Sequence, residues 1–329
     1  MSSTANSSWT IISQQIIIYL GIPMLIAGLI GNALNLIVFL SLRTFRENSC
    51  AFYLIVMSIV SIGQLFASFL SRIMISGFGI DWTLQSVVYC KFRVYLGSAC
   101  SLITFTCICL ATVDQYFATC SSPRWRSFNS IKIAHRTSIS FVVIWMLYSI
   151  PYLIYYDHVQ SSATGKFSCI SSNVVFQDYN VKGYTLVFIG FLPIFIDVLF
   201  ALLAYHNVRN LSYRMVPLVR RELDKQMTTI VLMQAISIVF VSTPYLIVNI
   251  LSLDNNIRHN PFASEILQFA TTLALCIFYL NFSSQFYVYI CVSSRFRQQL
   301  IHVTSTIYRN RWQRNIVLVN QVAPLPESA

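Results

Sequence analysis

Seven stretches of this chain are each long and apolar enough to cross a lipid bilayer, near residues 14–40, 51–70, 94–113, 139–156, 184–204, 229–251 and 266–292. A helix rises about 1.5 Å per residue, so roughly 20 residues span the ~30 Å hydrocarbon layer. It also pairs all of its own backbone N–H and C=O groups, which no water can satisfy there. Of the 329 residues 56% are hydrophobic and 10% charged, whereas a soluble domain carries about a quarter charged residues. The chain therefore reads as an all-α membrane protein: a seven-helix bundle over 14–292, an N-terminal tail over 1–13, and a short amphipathic eighth helix with its tail over 293–329.

The charges give the orientation. Placing the connecting segments alternately on two sides puts 16 Lys and Arg on one side and 6 on the other. The rich set holds Arg43 and Arg46, the group from Arg124 to Arg136, the group from Arg209 to Lys225, and five arginines from Arg295 to Arg314. The poor set is Arg72, Lys91, Arg93, Lys166, Lys182 and Arg258. Basic segments stay in the cytoplasm, so the N-terminus is expected outside and the C-terminus inside. The net charge of +11 thus reads as topology. Nucleic acid is not an expected partner, because no extended basic run is interleaved with aromatics.

Met1 to Tyr19 contains no Lys or Arg, so the basic region of a signal peptide is missing and the first apolar stretch reads as a retained helix. Asn6-Ser7-Ser8 is then a candidate glycosylation acceptor on the outer side. No internal repeat divides the chain into two halves, as it does in many transporters, and the connections leave no room for a separate soluble domain. Of nine cysteines only Cys90 and Cys169 fall on the outer face. A disulfide between them would pin the loop after the fourth helix across the mouth of the bundle; two unrelated thiols are the alternative. No Cys/His spacing fits a zinc site, and no cofactor is expected.

Seven helices, the outer N-terminus and the Cys90/Cys169 pair together resemble the rhodopsin-like family of G-protein-coupled receptors, over nearly the whole chain. Individual motifs agree in order. Gly31-Asn32 resembles the family's pair in the first helix, Asp114-Gln115-Tyr116 stands where the third helix carries Asp-Arg-Tyr, and Trp145 falls at the fourth-helix tryptophan. Pro193 and Pro244 match the prolines of the fifth and sixth helices. Gln285-Phe286-Tyr287-Val288-Tyr289 occupies the place of Asn-Pro-x-x-Tyr, and Ser294-Arg295-Phe296-Arg297 resembles the start of the family's juxtamembrane helix.

The departures fall on the switch. Gln115 replaces a permanent cation, Ser61 replaces the second-helix aspartate of the family's sodium site, and Ser242 replaces the sixth-helix tryptophan. Asp114, Gln115, Tyr116 and Tyr289 remain the candidate coupling residues. Pro193 and Pro244 are the candidate pivots, because a proline frees a backbone carbonyl and kinks a helix. Asn32, Asp197, Asn281 and Gln285 are the candidate polar core. Asp197 is an acid well inside a predicted span, where an ionisable group is a functional candidate or else a neutral residue bonded to Ser, Asn or Gln of a neighbouring helix.

Gly97 stands where amine receptors of the family carry an aspartate, which disfavours amine ligands. Gly97, Tyr148, Tyr152, Tyr184, Tyr245, Asn249 and Gln268 are the candidate pocket, suited to a peptide or an uncharged small molecule; an interfacial aromatic belt is the alternative for each. Phe296, Leu300, Ile301 and Ile307 form the expected apolar face of the last helix, with Arg295, Arg297, Arg309 and Arg311 reaching lipid headgroups. The resemblance implies a plasma-membrane receptor, not an enzyme, whose partners are an extracellular ligand, a heterotrimeric G protein and membrane lipids. A receptor-like scaffold that does not signal and a small-solute transporter or channel are the rival readings.

Overall fold

The computed structural model describes residues 2–41, 43–160, 167–210, 218–254, 261–294 and 296–305, apart from the side chains of 2–8, 10, 43–44, 210, 218–224 and 261. Seven helices have the length and composition to span a membrane: Ile11–Ser41, Ser49–Phe78, Val87–Thr119, Ile131–Tyr155, Val174–Arg209, Lys225–Leu251 and Phe262–Ser283. We number them first to seventh. The third is the most enclosed, with 72% of its apolar window buried, and the fourth the least, with 17%. The third is thus the post around which the bundle packs, and the fourth lies at the rim. Large apolar side chains such as Ile139, Leu147, Ile154, Phe191 and Phe240 point outward, as a surface solvated by lipid allows.

Several helices outrun their predicted limits. The first begins at Ser2, so residues 2–13 continue the helix instead of forming a separate tail. The candidate acceptor Asn6 lies outside the described side chains. The second helix runs to Phe78 and the third starts at Val87, which carries Arg72, Lys91 and Arg93 onto helices and out of loops. A window of apolar residues stops at the first cation, but a helix needs only backbone hydrogen bonds and continues past it. The fifth helix starts ten residues before position 184, at Val174.

Small residues set the close approaches. A Cβ on Gly28 would lie 2.6 Å from Ser283 Cβ, and one on Gly31 3.0 Å from Phe286 Cβ, so the two glycines let the first helix press against the seventh and against the helix Gln285–Val292 that follows it. The aromatic core continues at one end, where Phe39, Tyr289 and Phe296 pack with ring centroids 5.6–6.1 Å apart. Residues 296–305 are helical. Their apolar face is Phe296, Leu300 and Val303, whereas Ile301 is 66% exposed, because it lies about 100° around the helix from Leu300. Arg297 is exposed and also holds the chain end of the preceding helix. Its Nη1 donates to the Ile290 and Cys291 carbonyls at 2.7 and 3.2 Å, closing the end of helix Gln285–Val292. Arg295, Ile307, Arg309 and Arg311 lie outside the described residues.

In the loop after the fourth helix, two of the described segments are strands. Strands β1 (Tyr156–Gln160) and β2 (Phe167–Ser171) pair antiparallel, His158 opposite Cys169. Cys169 is disulfide-bonded to Cys90 near the start of the third helix, and His158 Nε2 lies 2.6 Å from the Thr83 carbonyl oxygen. The hairpin is thereby tied across one end of the bundle, called here the hairpin end.

Candidate functional site

Beneath the hairpin the second and third helices run antiparallel and place their residues in level pairs. Arg72, Ser68 and Gln64 follow one another at four-residue spacing on the second helix, and Arg93, Gly97 and Ser101 do so on the third; all six line one cavity of about 450 Å³. Residues four apart share a helix face, so the sequence places each triplet in a row. The deepest pair is joined by Gln64 Nε2 donating to Ser101 Oγ at 3.0 Å. In the middle, a Cβ on Gly97 would lie 2.1 Å from Ser68 Oγ, so only glycine admits the serine. A π-helical stretch, Leu65–Leu70, rewinds the second helix here, a device common at functional sites. At the top, Arg72 and Arg93 are half-buried and feel each other's charge.

Aromatic groups make the facing wall: Tyr152, Tyr156, Tyr184, Tyr245, Phe278 and Tyr279 line the cavity, and Cys169 and Ile170 of β2 roof it. Tyr184 OH donates to the Ser98 carbonyl at 3.4 Å, and Tyr152 OH donates to Asn180 Oδ1. At the floor Tyr245 stacks on Phe278 with centroids 4.6 Å apart, and Phe278 stacks on Phe105 at 5.9 Å. Sixth, seventh and third helices therefore meet in one aromatic column, beside the position where Ser242 takes the place of a tryptophan.

Of the candidate pocket residues, Gly97, Tyr152, Tyr184 and Tyr245 line this cavity. Three do not. Tyr148 lies behind the wall, its hydroxyl 2.5 Å from that of Tyr179 and its ring edge-on to Trp145. Asn249 turns back on its own helix, donating to the Tyr245 carbonyl at 2.7 Å. Gln268 lines a different cavity of about 360 Å³, with Trp9, Gln14 and Glu265, between the first, second and seventh helices.

At the opposite end, the Asp114 carboxylate accepts from Ser49 Oγ at 2.8 Å and from Asn129 Nδ2 at 2.9 Å. These bonds tie the third helix to the second and to the segment before the fourth. Gln115 is buried, and its Oε1 accepts from Thr228 Oγ1 of the sixth helix at 3.3 Å. A neutral hydrogen bond thus joins the third and sixth helices where the sequence lacks the family's arginine. Tyr116 packs edge-on against Phe200 of the fifth helix.

Between the two ends lies a neutral polar thread. Gln285 Nε2 donates to Ser61 Oγ at 3.2 Å and to the Asn281 carbonyl at 2.9 Å, and Asn281 Nδ2 donates to Ser242 Oγ at 3.0 Å. Asn32 Nδ2 donates to the Phe282 carbonyl at 2.8 Å. The second, sixth, seventh and first helices are so connected without a carboxylate. Asp197 stands apart from that thread, fully buried, with Thr112 Oγ1 of the third helix 2.9 Å from its Oδ1. Its partners on the third helix are thus Thr112 and the Cys109 thiol, not the Ser, Asn or Gln expected. Pro193 follows the π-helical stretch Asn180–Phe191, and Pro244 lies within the sixth helix.

Sequence reasoning missed Arg72, Arg93, Gln64 and Phe278 as cavity residues. Both arginines stand outside the apolar windows, which places them in loops by sequence alone; four-residue spacing from Gly97 points to Arg93. The cavity and all of the polar thread but Gln285 sit in the part of the chain, residues 31–284, that matches the family model described as 7 transmembrane receptor (rhodopsin family). No curated protein matches the chain. Seven membrane-length helices, the Cys90–Cys169 bridge and a match over more than three quarters of the sequence lead to one conclusion: the chain belongs to the rhodopsin family of seven-transmembrane receptors.

Proposed function

We propose that this receptor works at the plasma membrane with its hairpin end outside, binds a ligand in the cavity beneath the hairpin, and passes the change to a heterotrimeric G protein at the opposite end. The observation that carries this reading is the aromatic column at the cavity floor. Tyr245 and Phe278 line the cavity and stack on each other across the sixth and seventh helices, so a ligand pressing on them shifts the sixth helix. The same helix bears Pro244 and, nearer its start, Thr228, whose bond to Gln115 would break as its end swings away. Ligand and sixth-helix movement are then linked as a population shift between two packings. The 16-to-6 charge split supports the orientation.

An amine is not the expected ligand, because Gly97 supplies no counter-ion and no Asp or Glu lines the cavity. The cavity's volume suits a small molecule or the end of a peptide. The test is nucleotide exchange on a panel of heterotrimeric G proteins by purified receptor in lipid nanodiscs, as the wild type and as Gln115→Arg. Acceleration by either form supports coupling. Failure of both on every G protein favours a scaffold that does not signal, and uptake or ion current in vesicles would favour the transporter reading instead.

A further inference from the structure

The cavity is lined by two cationic side chains, Arg72 and Arg93, and, among the described residues, by no acid. The acids of the hairpin end lie outside the cavity lining: Asp81, whose charge is felt by Arg93, accepts from Thr83 N at 2.9 Å, Asp157 pairs with Lys91 at 3.8 Å, Asp178 pairs with Lys182 at 2.8 Å, Asp254 follows the end of the sixth helix, and Glu265 lines the second cavity. Neither Arg72 nor Arg93 is ion-paired among the described residues. Two like charges held side by side in a half-buried cleft attract an anion far more strongly than in bulk water, because the walls exclude the solvent that would screen them.

A second observation gives the ligand a direction. Gln64 is 3% exposed and its Nε2 is used by Ser101, but its Oε1 has no hydrogen-bond partner. That oxygen lies two helical turns below Arg72, roughly 12 Å at 1.5 Å per residue. A buried acceptor without a donor costs about 1–3 kcal/mol, so the site favours a ligand that brings an N–H or O–H to it. The facing wall is aromatic.

We propose that the ligand is a small organic acid: a carboxylate seated on Arg72 and Arg93 under the hairpin, an aromatic or apolar body against Tyr152, Tyr184 and Phe278, and a hydrogen-bond donor at its far end facing Gln64. This rests on the reading of the cavity as the ligand site. It replaces the uncharged ligand expected from the sequence, which placed both arginines in loops. A cavity of about 450 Å³ roofed by β2 holds a single compact molecule, which favours a free acid over a long peptide.

Three probes with one phenol ring and different ends test it: para-hydroxyphenylacetate, its primary amide, and tyramine. Binding to nanodisc receptor is read as a ligand-induced shift of melting temperature, which does not depend on signalling. The acid is expected to bind tightest, about tenfold to a hundredfold better than the amide, the range that charge-assisted hydrogen bonds give, and tyramine weakest. Arg72→Gln or Arg93→Gln removes the advantage of the acid over the amide; Arg72→Lys and Arg93→Lys retain part of it. Should the Gln variants fail to fold, rising salt must weaken the acid and spare the amide in the wild type. Equal binding of all three probes, absence of binding by the acid, or an acid preference insensitive to both arginines and to salt overturns the proposal. Preference for a tripeptide acid over the free acid overturns its small-molecule part. Acid binding without nucleotide exchange would leave this inference standing and count against coupling; exchange driven by a neutral ligand with no acid preference would do the reverse.

Discussion

A single methyl group at position 97 separates two outcomes. Its carbon would lie 2.1 Å from Ser68 Oγ, with Ser68 Cβ next at 3.5 Å. Gly97→Ala should therefore destabilise the receptor by about 1–3 kcal/mol, as overpacking does, seen as a lower melting temperature in nanodiscs. Gly97→Ala with Ser68→Ala should recover most of that loss, since the carbon left at 3.5 Å is an ordinary contact; no recovery would mean that the helices meet differently. At the other end, Thr228→Val keeps the shape of the side chain and removes the bond to Gln115. A neutral hydrogen bond contributes about 1 kcal/mol, so basal nucleotide exchange should rise about fivefold at most. Unchanged basal exchange would show that this contact does not hold the resting packing.

Among the elements, the hairpin carries the clearest expectation. Cys169→Ala unties β2 from the third helix and should cost about 2–4 kcal/mol, measured as a fall in melting temperature, together with weaker ligand binding because Cys169 and Ile170 form the cavity roof. A variant that melts lower yet binds as well would separate the roof from the site. The existence of the seven helices was legible in the sequence because apolar length is an unambiguous signal in lipid. Their ends were not, since Arg72, Lys91 and Arg93 interrupt the apolar windows while the backbone continues as helix. The hairpin pairing was not read from the sequence, although the cluster Ser161-Ser162-Ala163-Thr164-Gly165 between residues 156–160 and 167–171 is a loop signal; those flanking runs are too short, beside a membrane helix, to stand out as strands. Pocket residues were read from residue type and depth, and π-helical turns at Leu65–Leu70 and Asn180–Phe191 change which face a residue occupies. Tyr184 lies within the second of these stretches and still faces the cavity, whereas Tyr148, Asn249 and Gln268 lie on other helices and were misplaced because residue type and depth do not say which face of a helix points inward.

Across the whole molecule, a short route of polar groups, Ser242, Asn281, Gln285 and Ser61, lies between the cavity and the end that holds Asp114 and Gln115. Every connection on the route between those ends is between neutral groups. The family's charged positions at the sodium site and the third-helix arginine are here Ser61 and Gln115, so sodium should have little effect on ligand affinity, and replacing sodium by a large organic cation at equal ionic strength should leave it unchanged; a several-fold shift would point to a cation site elsewhere. The central claim is that a bundle so neutralised still drives a G protein when its cavity is filled. The most direct measurement is nucleotide exchange by nanodisc receptor across all G-protein classes, with para-hydroxyphenylacetate present and absent, for the wild type and Gln115→Arg. Acceleration on at least one class, increased by the acid, is the predicted result. No acceleration by either form on any class would contradict it.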